Sequence, residues 1–398
     1  MAFKVKYIII VAGIFIVGWL SRSTYTYLFD RSTPMITVQG IDEGRFYGGD
    51  LACQITSSKS GELSVKLDGQ PLSSNYRLSS KQHTYPFTIP TKTIANGAHS
   101  LTIELTDSTF HKNKAEIKYN FIVDNMPLQA SFVRSDADYK VFQGRTLHVQ
   151  FQVNKPIKSA KVHALATTYN CVMESQKSPI YECFVPIPCE EAPNEYLFSV
   201  EIADHVGNDV TLDNKFQIIA YPFKKQNLQV SSETVEREKK IDLAMADLEN
   251  QLQKLAMESP QEKLWRGAFC TPIDISKVTC DFGTVRTTQE RGRYMHKALD
   301  VINMPKSVVW ATQDGIVAIK ERYAFSGNTV VIDHGCGVLS LFFHLEDFAN
   351  ISVGQRIKKG NPLGTLGKSG YATGYHLHWE LRVNNVAVDP MQWTKNTF

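Results

Sequence analysis

The sequence predicts a mainly β chain, interrupted by one amphipathic helix and preceded by an apolar N-terminal run. Three observations carry this. Period-two runs from Gly61 to Leu67, Ser100 to Leu105 and Ala115 to Phe121 alternate with the turn dipeptides Asp68-Gly69, Asn96-Gly97 and Gly207-Asn208. Between Val230 and Ser259 the apolar period changes to 3.6. Beyond that, strand-and-turn text returns, and five of the eleven histidines fall between His296 and His378. With 398 residues the chain exceeds one ordinary core, so several domains are expected. A hydrophobic fraction of 43% is that of a globular protein. The net charge of +3, from 43 basic and 40 acidic residues without a concentrated basic patch, speaks against a nucleic-acid partner.

The first element, residues 1–33, is a targeting or anchoring segment. Lys4 and Lys6 precede the apolar run from Tyr7 to Leu20, which counted from Val5 is sixteen residues and is closed by Ser21-Arg22-Ser23. That is shorter than the roughly 20 residues that span a bilayer comfortably. No small-x-small cleavage site follows Leu20, Lys6 suits snorkelling and Trp19 suits an interface. An uncleaved anchor with a cytoplasmic N-terminus is expected; secretion after signal cleavage is the alternative. Either way the chain beyond Arg31 is exported.

Residues 34–124 and 125–222 read as two β-sandwiches, with the joint at Val123-Asp124-Asn125-Met126-Pro127. The ending from Glu201 to Asn208 resembles the Asp-x-x-Gly-Asn turn of bacterial extracellular sandwich modules, so both are expected to be Ig-like and to serve as spacers or partner-binding modules. Seven cysteines agree with export. Cys171 with Cys183, and Cys270 with Cys280, are plausible pairs; Cys189 reaches Cys53 only if their domains touch, and Cys336 is expected free.

Residues 223–263 form a helical linker. Ile241, Met245, Leu248, Leu252 and Leu255 make one apolar stripe, Ser231 or Ser232 caps its start and Pro260 stops it. The stripe packs either on the chain's own domains or, coiled-coil fashion over 231–259, on a protein partner or second copy.

The last element, residues 264–398, holds the chemistry. The run from Gly374 to Leu381 reads as a strand, which sets His376 and His378 on one face. Two such imidazoles suit a metal, or one metal ligand beside one proton-transfer group, although a solvated strand face is the plainer alternative. His296 and Asp300 add an imidazole and a carboxylate, and His344 closes the apolar strand from Val338 to Phe343. Three ligands with an open position mark a catalytic zinc.

From about Phe282 to Pro390 the chain resembles the catalytic domain of the lysostaphin/LytM-type zinc endopeptidases, which cut the peptide part of bacterial peptidoglycan. The matching motifs are His296…Asp300, the run from Gly327 to Gly335, Phe343-His344-Leu345, the run from Val353 to Gly360 with Leu363-Gly364, and Gly374-Tyr375-His376-Leu377-His378. It departs at Ala298, where the family usually carries Gly, and at Phe342-Phe343-His344, where aromatic-Ala-His is commoner. The resemblance implies a small antiparallel sheet with a groove, and one Zn2+ held by His296, Asp300 and His378. It implies His376 as general base and His344 as its partner in handling protons and transition-state charge, an imidazolium included. His334 and Asp333 are expected to be structural, Asn328 to line the groove or serve its turn, and Lys368 to Gly374 to form a mobile loop. Peptidoglycan peptides are the implied substrate, and the bacterial inner membrane with the periplasm or extracytoplasmic space the implied location. The linker helix or the sandwiches are expected to cover the groove, so that a chain starting near Trp265 is the more active form. The competing reading is a non-catalytic wall-binding protein that activates other wall hydrolases; such members lack a ligand, whereas His296, Asp300 and His378 are all present.

Overall fold

The computed structural model describes residues 18–19, 22–79, 82–134, 139–176, 178–227, 246–288 and 292–398. Most of the apolar run 5–20, and the helix positions Ser231, Ser232, Ile241 and Met245, lie outside the described residues. Among those described, no helix is long and apolar enough to cross a membrane. The chain forms two compact units, residues 1–127 with 205–208, and residues 128–204 with 209–398.

In the first unit a five-stranded and a three-stranded sheet enclose one core. Strand Gly61–Leu67 shows how the sequence builds it: Leu63, Val65 and Leu67 point inward while Glu62, Ser64 and Lys66 do not. Its hairpin to Gln70–Leu78 turns through Asp68 and Gly69, at φ 50° and 78°, the left-handed pair that matches strand twist.

The second unit contains a five-stranded and a four-stranded sheet around Val149, Phe151, Val162, Phe198 and Phe216. It also contains a ten-stranded sheet. Six strands of that sheet matter below: β1 (Lys277–Cys280), β2 (Leu299–Ile302), β3 (Gly315–Tyr323), β4 (Gly327–Asp333), β5 (Val338–Phe348) and β6 (Leu377–Val383). Their spatial order is β1-β2-β6-β5-β4-β3, all antiparallel. Strands β4, β5 and β6 are buried on both faces, which is why they read as continuous apolar runs rather than alternating ones.

One face is covered by helix α1, residues 246–258. Its Leu248, Leu252 and Ala256 pack on Ile319, Val331, Leu339, Leu341 and Phe343. The described part of the stripe is therefore spent on its own sheet and does not face a partner helix. The opposite side carries the terminal helix α2 (Pro390–Lys395), started by Asp389, whose side chain accepts from Met391 N. Trp393 of α2 packs with Trp265, Phe269 and Phe398, and Phe184 of the four-stranded sheet stacks into the same cluster.

All seven cysteines are free thiols. The expected pairs Cys171–Cys183 and Cys270–Cys280 are not formed. Cys270 Sγ faces the carbonyls of Ala311 and Thr312 at 3.6 and 3.4 Å, and Cys280 points into the site described next.

Candidate metal centre

Strand register assembles the site. Cys280 on β1 pairs with Asp300 on β2, Asp300 with His378 on β6, and His378 with Phe343 on β5. Directly paired residues point to the same face, so these four side chains form one row across the sheet. Asp300 sits at its centre: Oδ1 lies 3.1 Å from His378 Nδ1, and Oδ2 lies 3.2 Å from His296 Nε2. His376 Nε2 approaches Oδ1 at 4.0 Å. The strand starts at Leu377, so His376 belongs to the preceding loop and not to the ladder. It still faces the same carboxylate as His378.

Phe343 stacks flat on His378, with centroids 4.9 Å apart and planes at 2°. On the far side of that ring, His378 Nε2 faces Glu380 Oε2 at 3.7 Å. Glu380 shares the face of His378 because it follows two residues later on the strand. Arg382, two further on, donates through Nε to Glu380.

His344 stands on β5 where the register to β4 and to strand Pro362–Leu366 shifts. Its backbone has φ 63°, a left-handed conformation rare for a side chain of this size. Its N–H donates to Ser326 O at 2.8 Å and its Nδ1 to Ser369 O at 2.9 Å. His376 Nδ1 likewise donates to Gly374 O at 3.0 Å. Both rings thus have Nε2 free to accept, and their centroids are 4.8 Å apart. Ser369 is a clamp: its hydroxyl donates to Leu345 O at 2.6 Å and accepts from Asn328 N at 2.9 Å. Gly327 and Gly370 permit this approach, since a Cβ on Gly327 would meet Ser369 O at 2.4 Å and one on Gly370 would meet Gly327 N at 2.4 Å. Tyr371 N is also bonded to Phe325 O at 2.8 Å, so this part of the 368–374 segment is anchored to the loop before β4.

The charges follow from burial against contact. Burial pushes the Asp300 carboxyl up, yet hydrogen bonds from His296 and His378 hold it well below the usual range. Burial opposes charge on His296, but Asp300 and Cys280 beside it raise the ring to about 9. His378 is raised against burial by Asp300 and Glu380. His344 goes the other way, down to about 3, through burial and the neighbouring His378 and His376. Burial and these neighbours thus favour the uncharged ring in the metal-free protein. Burial also raises the Cys280 thiol, but the hydrogen bond and charge of His296 bring it net below the usual thiol range.

Two imidazole nitrogens on one buried carboxylate form a donor set of the kind that zinc takes. The His296 ring is buried with Nε2 turned to Asp300, while its Nδ1 has no hydrogen-bond partner among the described residues. The residues present fit a divalent cation. A pocket of about 280 Å³ opens beside them, lined by His296, His378, Arg286, Tyr294, Phe325 and Glu249 among others.

Residues 294–390 match the model of Peptidase family M23. This is an M23 peptidase domain. Its relatives include the peptidoglycan DD-endopeptidase ShyC of Vibrio cholerae, 32% identical over 121 residues, 30% of this chain and 28% of that one. The DD-carboxypeptidase/endopeptidase Mpg of Neisseria meningitidis is 34% identical over 127 residues, 32% of this chain and 29% of that one. The chain thus spans less than a third of these relatives' own lengths. Among solved structures, the catalytic domain of lysostaphin from Staphylococcus simulans is 26% identical, covering 33% of this chain and 90% of that one, with a TM-score of 0.24.

All five residues singled out from the sequence meet in the M23 domain. Two features escaped that reading. Cys280 was read as a plausible disulfide partner of Cys270, although it sits one strand beyond Asp300 in the row. The Glu380–Arg382 pair carries no motif of its own; its only signal was the two-residue spacing from His378. The two positions expected to be structural are fully engaged. His334 Nδ1 lies 2.7 Å from Asp314 O and its Nε2 2.8 Å from Ser340 Oγ, and Asp333 accepts from Ser259 Oγ and Gly335 N. Asn328 donates to Glu346 O at 2.7 Å, so its amide serves the backbone.

Proposed function

We propose that the chain is a zinc-dependent endopeptidase that hydrolyses peptide bonds in bacterial peptidoglycan. The observation that carries this reading is Asp300 held between His296 Nε2 and His378 Nδ1, with the free Nε2 atoms of two further histidines beside them. His296, Asp300 and His378 would hold the ion. When bound, zinc brings the pKa of a coordinated water to about 7 and polarises a carbonyl.

The remaining steps belong to the chain's own side chains. His376, its Nδ1 fixed on the Gly374 carbonyl, presents Nε2 as the general base. His344, oriented by Ser369 and kept neutral by burial, takes or returns a proton at its own Nε2. Glu380, held down to about 2 against burial by Arg382 and His378, fixes the far side of the His378 ring as carboxylates do for metal-bound histidines. The names of the relatives, DD-endopeptidase and DD-carboxypeptidase/endopeptidase, favour D,D peptide bonds as the substrate class. In the same reading residues 5–20 anchor the chain in the inner membrane. The segments 34–124 and 125–222 serve as Ig-like spacers, and the linker 223–263 leads into the peptidase domain 264–398.

The test is digestion of purified sacculi by the zinc-loaded protein, with and without a chelator, read by mass analysis of the soluble peptides. Release of peptides that stops with chelator is expected. No release at any zinc concentration would overturn the reading.

A further inference from the structure

The ligand row has a fourth member that the proposed zinc set leaves out. Cys280, His296 and Asp300 each offer a donor atom, and these atoms lie within 4.8 Å of one another. All three residues are buried, with Cys280 4% exposed. The position is dictated by the sheet: a register irregularity between Val278 and Cys280 brings Cys280 opposite Asp300, as Asp300 is opposite His378. A cysteine placed by its ladder beside Asp300, on the side away from His378, and within reach of His296 is not an incidental thiol.

Other uses of Cys280 fit poorly. Its expected disulfide partner, Cys270, is engaged with the backbone of Ala311 and Thr312. Among the described residues its sulfur accepts from Arg286 Nη2 at 3.1 Å, and that guanidinium also lies 4.0 Å from Asp300 Oδ2. The arrangement is a cationic clamp facing a sulfur and a carboxylate together, suited to holding both as anions. The neighbouring His296 ring turns Nε2 to the same Asp300 carboxylate, so a sulfur, an imidazole and a carboxylate converge at this corner.

We propose that Cys280 supplies a thiolate ligand to the same ion, making a Cys–His–Asp–His donor set in the resting protein. The inference rests on the metal site proposed above. Its consequences are chemical. Four protein donors close a tetrahedral zinc site, so substrate must displace Cys280 or be admitted by expansion to five ligands. The soft sulfur also biases the site towards zinc and away from magnesium or manganese. The peptidase would be built to rest closed, with the thiol as its latch.

Cobalt(II) tests this on the full chain. The wild-type protein, freed of metal and titrated with Co2+, is expected to show both visible d–d bands and a near-ultraviolet thiolate-to-cobalt charge-transfer band, one ion per chain. Cys280→Ser should keep the d–d bands, lose the charge-transfer band, and bind zinc about tenfold or more weakly in competition with a chelator. Cys336→Ser should keep both bands. X-ray absorption of the zinc-loaded wild type, which needs no variant, should contain one sulfur at about 2.3 Å. Bound cobalt without the charge-transfer band, or the band persisting in Cys280→Ser, would overturn this inference while leaving the His–Asp–His site standing. Failure of the wild type to bind either ion would overturn both.

Discussion

Glu249 on helix α1 grips Arg382 on strand β6 with both oxygens, at 2.5 Å to Nη1 and 2.7 Å to Nη2. The same guanidinium donates through Nε to Glu380, whose other oxygen faces His378. A fork-shaped guanidinium matched to two carboxylates is rigid, because each bond fixes the plane the others need. A residue of the linker helix is thus connected, through two buried side chains, to a proposed metal ligand.

Glu249→Gln is therefore expected to act at a distance. It removes one charge from the fork and leaves the volume unchanged. Zinc affinity should fall by about tenfold, and kcat/KM with it, while stability drops by about 1 kcal/mol, since Glu249 is part exposed. Chelator competition and thermal melting read the two effects. An unchanged zinc affinity would show that the chain of contacts ends at Arg382.

Removing the helix should damage the domain. Leu252 is fully buried against Ile319, Val331, Leu339, Leu341 and Phe343, so Leu252→Ala should cost about 2–5 kcal/mol. A chain starting near Trp265 would expose that whole apolar face and lose Glu249. It is expected to melt without cooperativity and to be less active, the reverse of what a covering role for the linker implies. Cooperative melting together with a higher rate on sacculi would contradict the packing account.

The two groups of histidines should separate in a metal assay. Asp300→Ala and His378→Ala are expected to lose zinc and activity together. His344→Ala and His376→Ala should retain zinc while kcat falls by about 10²–10⁴, the range for loss of a proton-transfer group. Zinc content by mass spectrometry beside initial rates distinguishes them. Loss of zinc in His376→Ala would move that residue into the ligand set.

Proton competition sets the pH response. The His296 ring is raised in the folded, metal-free protein from 6.5 to about 9, so its contribution to stability is complete below 6.5 and is lost as pH rises through 9. Metal-free protein should accordingly melt at lower temperature at pH 9 than at pH 6.5, with His296→Gln flattening the difference. Zinc needs that ring unprotonated, so zinc affinity should climb over the same interval. A flat affinity between pH 7 and 9 would mean that the ring is already neutral.

Much of the site was legible because its residues sit at short, regular spacings. His296 and Asp300 are four apart, and His376 and His378 are two apart across the start of β6. The alternation in Gly61–Leu67 and the helical stripe at Leu248 and Leu252 had clear periods, and both are buried on the side the period implies. What could not be read depends on register and backbone. Cys280 meets Asp300 only because β1 shifts its pairing, and no local pattern announces that shift. The left-handed backbone of His344 arises from a bulge between partners far apart in sequence. Glu249 lies 133 residues from Arg382, a contact with no sequence signature.

The central claim is that one divalent ion is held by His296, Asp300 and His378. Anomalous diffraction at the zinc edge from crystals of the zinc-loaded protein tests it most directly. A single peak about 2.1 Å from His296 Nε2, an Asp300 oxygen and His378 Nδ1 is predicted. A strong peak elsewhere, or none at these three residues despite stoichiometric zinc in the crystal, would contradict it.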